Sequence, residues 1–181
     1  MSATASIFPA TLEQRIEELT ATRESLLKEV SSNVDIKPNN GWSISEILFH
    51  LHIVEKMFPI LMQQLLNSSK IEKKSDEYLR SEWELMTQLI SKRNTKIEAP
   101  DMVRPTNAPS LEEAVKLLSE SRTAFLEYLN KITLDELLYV EMPHPVKSVG
   151  LTISGPGWIS FLAYHELRHL EQIKELKQNS E

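Results

Sequence analysis

No cysteine occurs in these 181 residues, which excludes disulfides, thiolate-held zinc and a thiol nucleophile of the protein's own. Any thiol chemistry has to arrive with a substrate. Glycine is scarce, 4 residues against 9 prolines, and no stretch sustains the two-residue alternation of a half-buried strand. Basic excess is missing too: 20 Lys and Arg face 26 Asp and Glu, a formal net charge of −6. Nucleic acid calls for clustered cations, and the one basic cluster, Lys70 to Lys74, is interrupted by Glu72. Nucleic acid is therefore not an expected partner. No apolar run is long enough to span a bilayer, and MSATASIFPA lacks the charged and apolar regions of a signal peptide. The expected setting is the cytoplasm, without a membrane partner.

What is present is the composition of a soluble globular protein, 41% hydrophobic and 25% charged, in a chain long enough for one cored domain over residues 1–181. Thr11 can cap a first helix whose Leu12, Ile16, Leu19, Leu26 and Val30 make one apolar stripe. Ser43 and Glu46 form a capping box that opens a second helix, to about Asn67, with Pro59 predicting a kink or a break at Phe58. A third helix follows Ser75 with Tyr78, Trp83, Met86, Leu89 and Ile90 inward. Ser110 and Glu113 make a second capping box, starting a helix with the row Leu111, Val115, Leu118, Arg122, Phe125 and Leu129. The last helix is expected from Trp158 to about Gln178. The fold predicted is all-α: a four-helix bundle with an extra helix and long loops in the connections. Trp42 and Trp158 are expected in its core.

The chemistry is in the histidines. His165 and His169, in HELRH, lie four apart and so project from one helix face. They fall on the core-facing row Trp158, Leu162, His165, His169, Gln172, Leu176. Two imidazoles there are costly unless their nitrogens are satisfied, by a metal ion or, alternatively, by hydrogen bonds to Glu, Gln or backbone. HELRH also spells the HExxH of zinc proteases, but their third ligand lies downstream. Position 175 is Glu, a turn and a half beyond on the same helix, and the sequence ends at Glu181 without a further helix. A third ligand is expected upstream instead. His50 replaces an apolar residue in the row Ile47, His50, Val54, Met57, Leu61, Gln64, its alternative being a helix–helix hydrogen bond. His52 falls off that row and is expected at the surface. His144, between two prolines in MPHP, is expected in a loop that could fold over the site and touch substrate. Glu166 is a candidate general base, with an Arg-paired or solvated role as the alternative. Arg104 and Arg168 are candidates to hold an anionic substrate, against the alternative of ordinary surface arginines.

Three stretches in this order resemble the DinB-like (DinB/YfiT) superfamily: GWSISEILFHL, with Trp42 eight residues before His50, then VRPTNAPSLEEAVKLLSESR, then YHELRHLEQI with Gln172 three past His169. The resemblance runs from about residue 10 to 178. It implies a four-helix bundle of unusual helix order and one divalent transition metal on a histidine triad. Zinc or nickel is the commonest ion, with iron and manganese also compatible. Carried onto this sequence, the triad is His50, His165 and His169, with Gln172 supporting it from behind. The family's characterised branches are S-transferases using bacillithiol and isomerases using mycothiol; other members are described as metal-dependent hydrolases.

Three neutral imidazoles leave the ion's double charge uncompensated, which acidifies a bound thiol or water. The leading expectation is an enzyme that attacks an electrophile with a small-molecule thiol, and hydrolysis by water comes second. The contrasting class is a non-catalytic metal-holding bundle serving binding or dimerisation. The expected partners are a small-molecule substrate, a low-molecular-weight thiol and, in that second class, another copy of the chain as a homodimer.

Overall fold

A computed structural model of the chain describes residues 8–31, 34–68, 70–90, 93, 97–146 and 149–180. Its elements in order are α1 (Leu12–Glu29), α2 (Ile44–Leu66), α3 (Asp76–Leu89), α4 (Leu111–Leu129), the one-turn α5 (Leu134–Leu137), strands β1 (Glu141–Pro143) and β2 (Thr152–Ser154), and α6 (Gly155–Gln178). The all-α reading holds. The departure is a short antiparallel hairpin, in which Met142 pairs with Ile153. At three residues per strand it is too short to show as an alternating pattern. None of the described helices is long and apolar enough to cross a membrane.

Local chemistry explains most boundaries. Thr11 with Gln14 and Ser43 with Glu46 close reciprocal capping boxes at the starts of α1 and α2. At α4 only half of the expected box forms: Ser110 accepts from the Glu113 amide at 3.3 Å. α2 runs through Pro59 without a break, with Ile47 and Phe58 buried before it and Met62 buried after it. α6 begins three residues ahead of Trp158, because Ser154 caps it and Pro156 suits a first helical turn. In α3, Leu79, Trp83 and Met86 are buried, but Leu89, expected inward, is 44% exposed.

Contacts fix the helix directions. His52, Glu55 and Phe58 of α2 meet Leu117, Ser121 and Phe125 of α4, so these two helices run parallel. Arg15, Thr22 and Glu29 of α1 meet Ser160, Glu166 and Lys177 of α6, a second parallel pair. The pairs are mutually antiparallel, as Phe58 on Trp158 and His50 on His165 show for α2 and α6. Parallel neighbours cannot be joined by a tight turn. The connection between the parallel α2 and α4 is accordingly long and carries α3, while the hairpin lies in the connection between the antiparallel α4 and α6.

The core divides along the bundle axis. One cluster gathers around Leu19, Phe58, Met62, Phe125 and Trp158, the other around Leu26, Ile47, Leu48, Leu118 and Ile173. Between them each principal helix contributes one charged residue: Arg23 from α1, Glu55 from α2, Arg122 from α4 and Glu166 from α6. All four are buried. Arg122 reaches Glu55 at 2.6 Å and Glu166 at 3.0 Å, and Arg23 bonds both carboxylates, with Glu55 at 3.1 Å. Spare guanidinium protons go to the Leu118 and Leu19 carbonyls, and Ser121 and Thr22 hydroxyls complete the carboxylates. The layer is electrically neutral and densely bonded, as buried charge must be.

Candidate metal centre

His50 and His165 project from facing rows of α2 and α6, His50 five residues ahead of Glu55 and His165 directly ahead of Glu166. Nε2 of His165 lies 3.2 Å from Nε2 of His50 and 3.1 Å from Nε2 of His169. Behind the cluster, Nδ1 of His50 donates to the Val103 carbonyl at 2.6 Å and Nδ1 of His169 donates to Gln172 Oε1 at 2.9 Å. Those two rings have spent their proton on Nδ1, so each presents a bare lone pair at Nε2. His165, whose Nδ1 is buried with no partner among the described residues, has one proton for two nitrogens. At most one proton is thus shared among three converging nitrogens. A hydrogen-bonded cluster cannot satisfy that arrangement, and a cation can.

The spacing fits one. Donors at the 2.0–2.1 Å typical of zinc–imidazole bonds sit about 3.3 Å apart around a tetrahedral ion. Among the described residues, the group able to hold an ion consists of His50, His165 and His169. Burial drives His165 and His169 well below the usual histidine range, with the neighbouring imidazoles adding to it; burial also lowers His50, against the Val103 carbonyl that raises it. All three are held in the neutral form that ligates metal.

The cluster opens on a cavity of about 320 Å³ with largely apolar walls, among them Val54, Met57, Phe58, Leu61, Met102 and Phe161. Its rim shares Trp42, Glu98, Arg168 and His169 with an adjoining polar cavity of about 500 Å³, which Arg93, Arg104 and Gln172 also line. Trp42, expected in the core, is half-buried; its ring lies 4.8 Å from that of His50 and stacks at 6.3 Å on His169.

Other expected residues fall in two groups. Gln172 stands behind His169, and Arg168 and His144 line the apolar cavity. Arg104 is on the polar cavity, held by Asp101 and by the Ala99 carbonyl, both at 3.2 Å. Glu175 pairs with Arg93 at 3.0 Å, away from the histidines. Glu166 requires a correction as a candidate base. One residue along α6 from His165, it points about 100° round the helix into the charged layer, where Arg23, Arg122 and Thr22 occupy its oxygens. Neither oxygen faces the cavity. His52 is corrected as well: it is buried, with Nδ1 donating to the Leu117 carbonyl at 2.9 Å. Sequence reasoning did not find Val103, Glu98 or the part Trp42 plays. The spacing of Trp42 before His50 was the available signal for the last; nothing local marks the other two.

Comparison with known proteins gives the family and the fold. A family model described as the DinB superfamily matches residues 7–173. The uncharacterized protein YuaE of Bacillus subtilis (strain 168) is 30% identical over 144 residues, covering 77% of this chain and 80% of that one. In fold, the chain is similar to YfiT from Bacillus subtilis, described as a probable metal-dependent hydrolase with an unusual four-helix bundle topology. That likeness has a TM-score of 0.59 at 18% identity and covers 99% of this chain and 93% of YfiT. This chain belongs to the DinB superfamily.

Proposed function

We propose that this protein is a metal-dependent hydrolase of small acyl compounds, with a divalent ion held by His50, His165 and His169. The observation that carries the reading is the convergence of three Nε2 atoms on the wall of an apolar cavity. An ion with a purely structural role is normally closed off by a fourth protein ligand; among the described residues the group has three. That supports an enzyme over a non-catalytic module, and the description of YfiT adds to it. Zinc or nickel suits three imidazoles best, with iron and manganese compatible. Such an ion supplies Lewis acidity, polarising a carbonyl and making water a competent nucleophile near neutral pH.

The chain's own residues do the rest. Val103 and Gln172 fix the ring orientation of His50 and His169. The apolar walls favour a substrate whose acyl or aryl group sheds water on entry. Hydrolysis then adds water across the acyl bond and releases an acid with an alcohol or amine. The test is a panel of 4-nitrophenyl esters, acetate to octanoate, with zinc-loaded protein and the H165A variant. Turnover that rises with acyl length and vanishes in the variant is expected. Equal rates for both proteins, or no turnover with any ester, would overturn the proposal.

The polar cavity favours a second reading, transfer of a carboxylated small thiol of the bacillithiol class. Arg93, Arg104 and Arg168 line it and suit a carboxylate. The sulfur would bond to the electrophilic carbon, a halide would leave, and the thiol proton would go to solvent. Zinc-dependent thioether formation from such a thiol and a chromogenic aryl halide is the expected sign, and none at saturating thiol would remove this reading.

A further inference from the structure

We infer that His144 is a substrate-positioning residue, donating a hydrogen bond from Nε2 to the carbonyl or ester oxygen of a substrate whose apolar part fills the cavity. The chemical role rests on the hydrolase reading above; the state of the ring does not.

His144 follows β1, and its amide donates to the Leu151 carbonyl at 2.7 Å, which ties it to the hairpin. Its side chain is 8% exposed and lines the apolar cavity beside the triad. The ring lies parallel to Trp158 at 6.1 Å and edge-on to Phe161 at 5.3 Å, and Phe161 stacks on His165 at 5.5 Å. The imidazole is therefore clamped in orientation by the aromatic residues that also wall the metal ligands.

Its tautomer follows from the backbone. The Val146 amide approaches Nδ1 at 3.1 Å, and an amide can only donate, so Nδ1 is an acceptor. The Val146 carbonyl lies farther from the same atom, at 3.4 Å; bonding to it would need a proton on Nδ1, set against the closer amide. The shorter contact decides, and the proton is on Nε2. Burial lowers the ring's affinity for a second proton, so it stays a neutral donor. Nε2 bonds no described residue, and it is not among the buried side-chain atoms shut away without a partner. On a residue that lines an apolar cavity, an N–H that is not sealed off is available to an acceptor that enters. The acceptor that fits an apolar enclosure is a single oxygen on an otherwise apolar molecule.

The experiment has two arms, both on the full-length zinc-loaded protein. Long-range 15N–1H correlation of the imidazoles at pH 7.5, with His144 assigned by its loss in H144Q, should show a neutral ring protonated at Nε2. A proton at Nδ1, or an imidazolium, would overturn the proposal. Calorimetry with hexanohydroxamate then compares wild type, H144F and H144Q. Phe keeps the aromatic stacking and loses the donor, while Gln keeps a donor near Nε2. Binding should weaken about tenfold in H144F, the worth of one neutral hydrogen bond, and stay within about threefold of wild type in H144Q. Equal binding by wild type and H144F, at unchanged zinc content, would overturn the role of His144 while leaving the hydrolase reading intact. Zinc-loaded wild type that neither binds hydroxamate nor cleaves the esters would overturn both.

Discussion

Glu166→Gln separates a structural carboxylate from a catalytic one. Glu166 is 3% exposed, and its partners Arg23 and Arg122 are nearly as deeply buried. With Glu55 the four charges cancel, in a layer enclosed by the two apolar clusters. Neutralising Glu166 leaves two guanidiniums against one carboxylate, away from water. Removing one partner of a buried ion pair costs about 3–5 kcal/mol. For a chain of this size each kcal/mol moves the midpoint by about 2–4 °C, so a fall of about 6–20 °C is expected. Urea denaturation of the metal-free protein measures the free energy, and zinc content of the loaded protein is read in parallel. Zinc content should hold near one equivalent, because Glu166 touches none of the three histidines. Glu17→Gln, at an exposed position of α1, is the control and should stay within about 0.5 kcal/mol. Removing Arg122 together with Glu166 restores neutrality, so that double variant should be less destabilised than the sum of its singles. The reasoning fails if Glu166→Gln stays within about 1 kcal/mol of wild type. It fails in a second way if stability holds while zinc is lost, which would return Glu166 to the chemistry.

Other expectations follow from single contacts. Gln172→Leu removes the acceptor behind His169 and should weaken zinc binding about 10- to 100-fold in a competition titration with a chelating dye. Nickel should quench tryptophan emission mainly through Trp42, whose ring faces two of the ligands, so Trp42→Phe should lose most of the quenching. Burial lowers the pKa of His52 against the Leu117 carbonyl that raises it. The stability it contributes is therefore present above its unfolded value near 6.5 and is lost as pH falls through the folded one. Between pH 7.5 and 5 the wild type should lose more unfolding free energy than His52→Gln, and parallel losses would contradict that. A methyl at Gly155 would meet the Leu137 carbonyl at 2.6 Å, so Gly155→Ala should destabilise by about 1–3 kcal/mol in urea.

The four long helices and the triad were legible because both are written locally. Apolar rows, the Thr11 and Ser43 caps, and two histidines four apart need no knowledge of what lies across the bundle. His50 was legible by the same logic, as a polar residue on an inward row. Arg122 stood on such a row too, and a buried guanidinium demands a carboxylate; followed through, that requirement would have drawn Glu166 out of the active site. Its partners Arg23 and Arg122 lie 143 and 44 residues away, however, and no spacing pattern reaches so far. The parallel helix pairs, the hairpin that turns His144 inward and the Val103 carbonyl behind His50 are likewise products of tertiary packing. The last helix starts ahead of the expected Trp158, with Gly155, Pro156 and Gly157 in its first turn, because Ser154 accepts from the Gly157 amide at 3.1 Å and Glu82 in turn accepts from the Ser154 amide at 2.7 Å. Tertiary context overrides local propensity there.

The central claim is that His50, His165 and His169 together hold one divalent ion. Metal analysis of protein purified without added metal, for wild type and for His50→Ala, His165→Ala and His169→Ala, tests it most directly, with far-ultraviolet circular dichroism confirming that each variant is folded. Near one equivalent of a transition metal in wild type, and its loss in every folded single variant, is the predicted result. Wild type that carries no ion even after loading, or folded variants that keep a full equivalent, would contradict it.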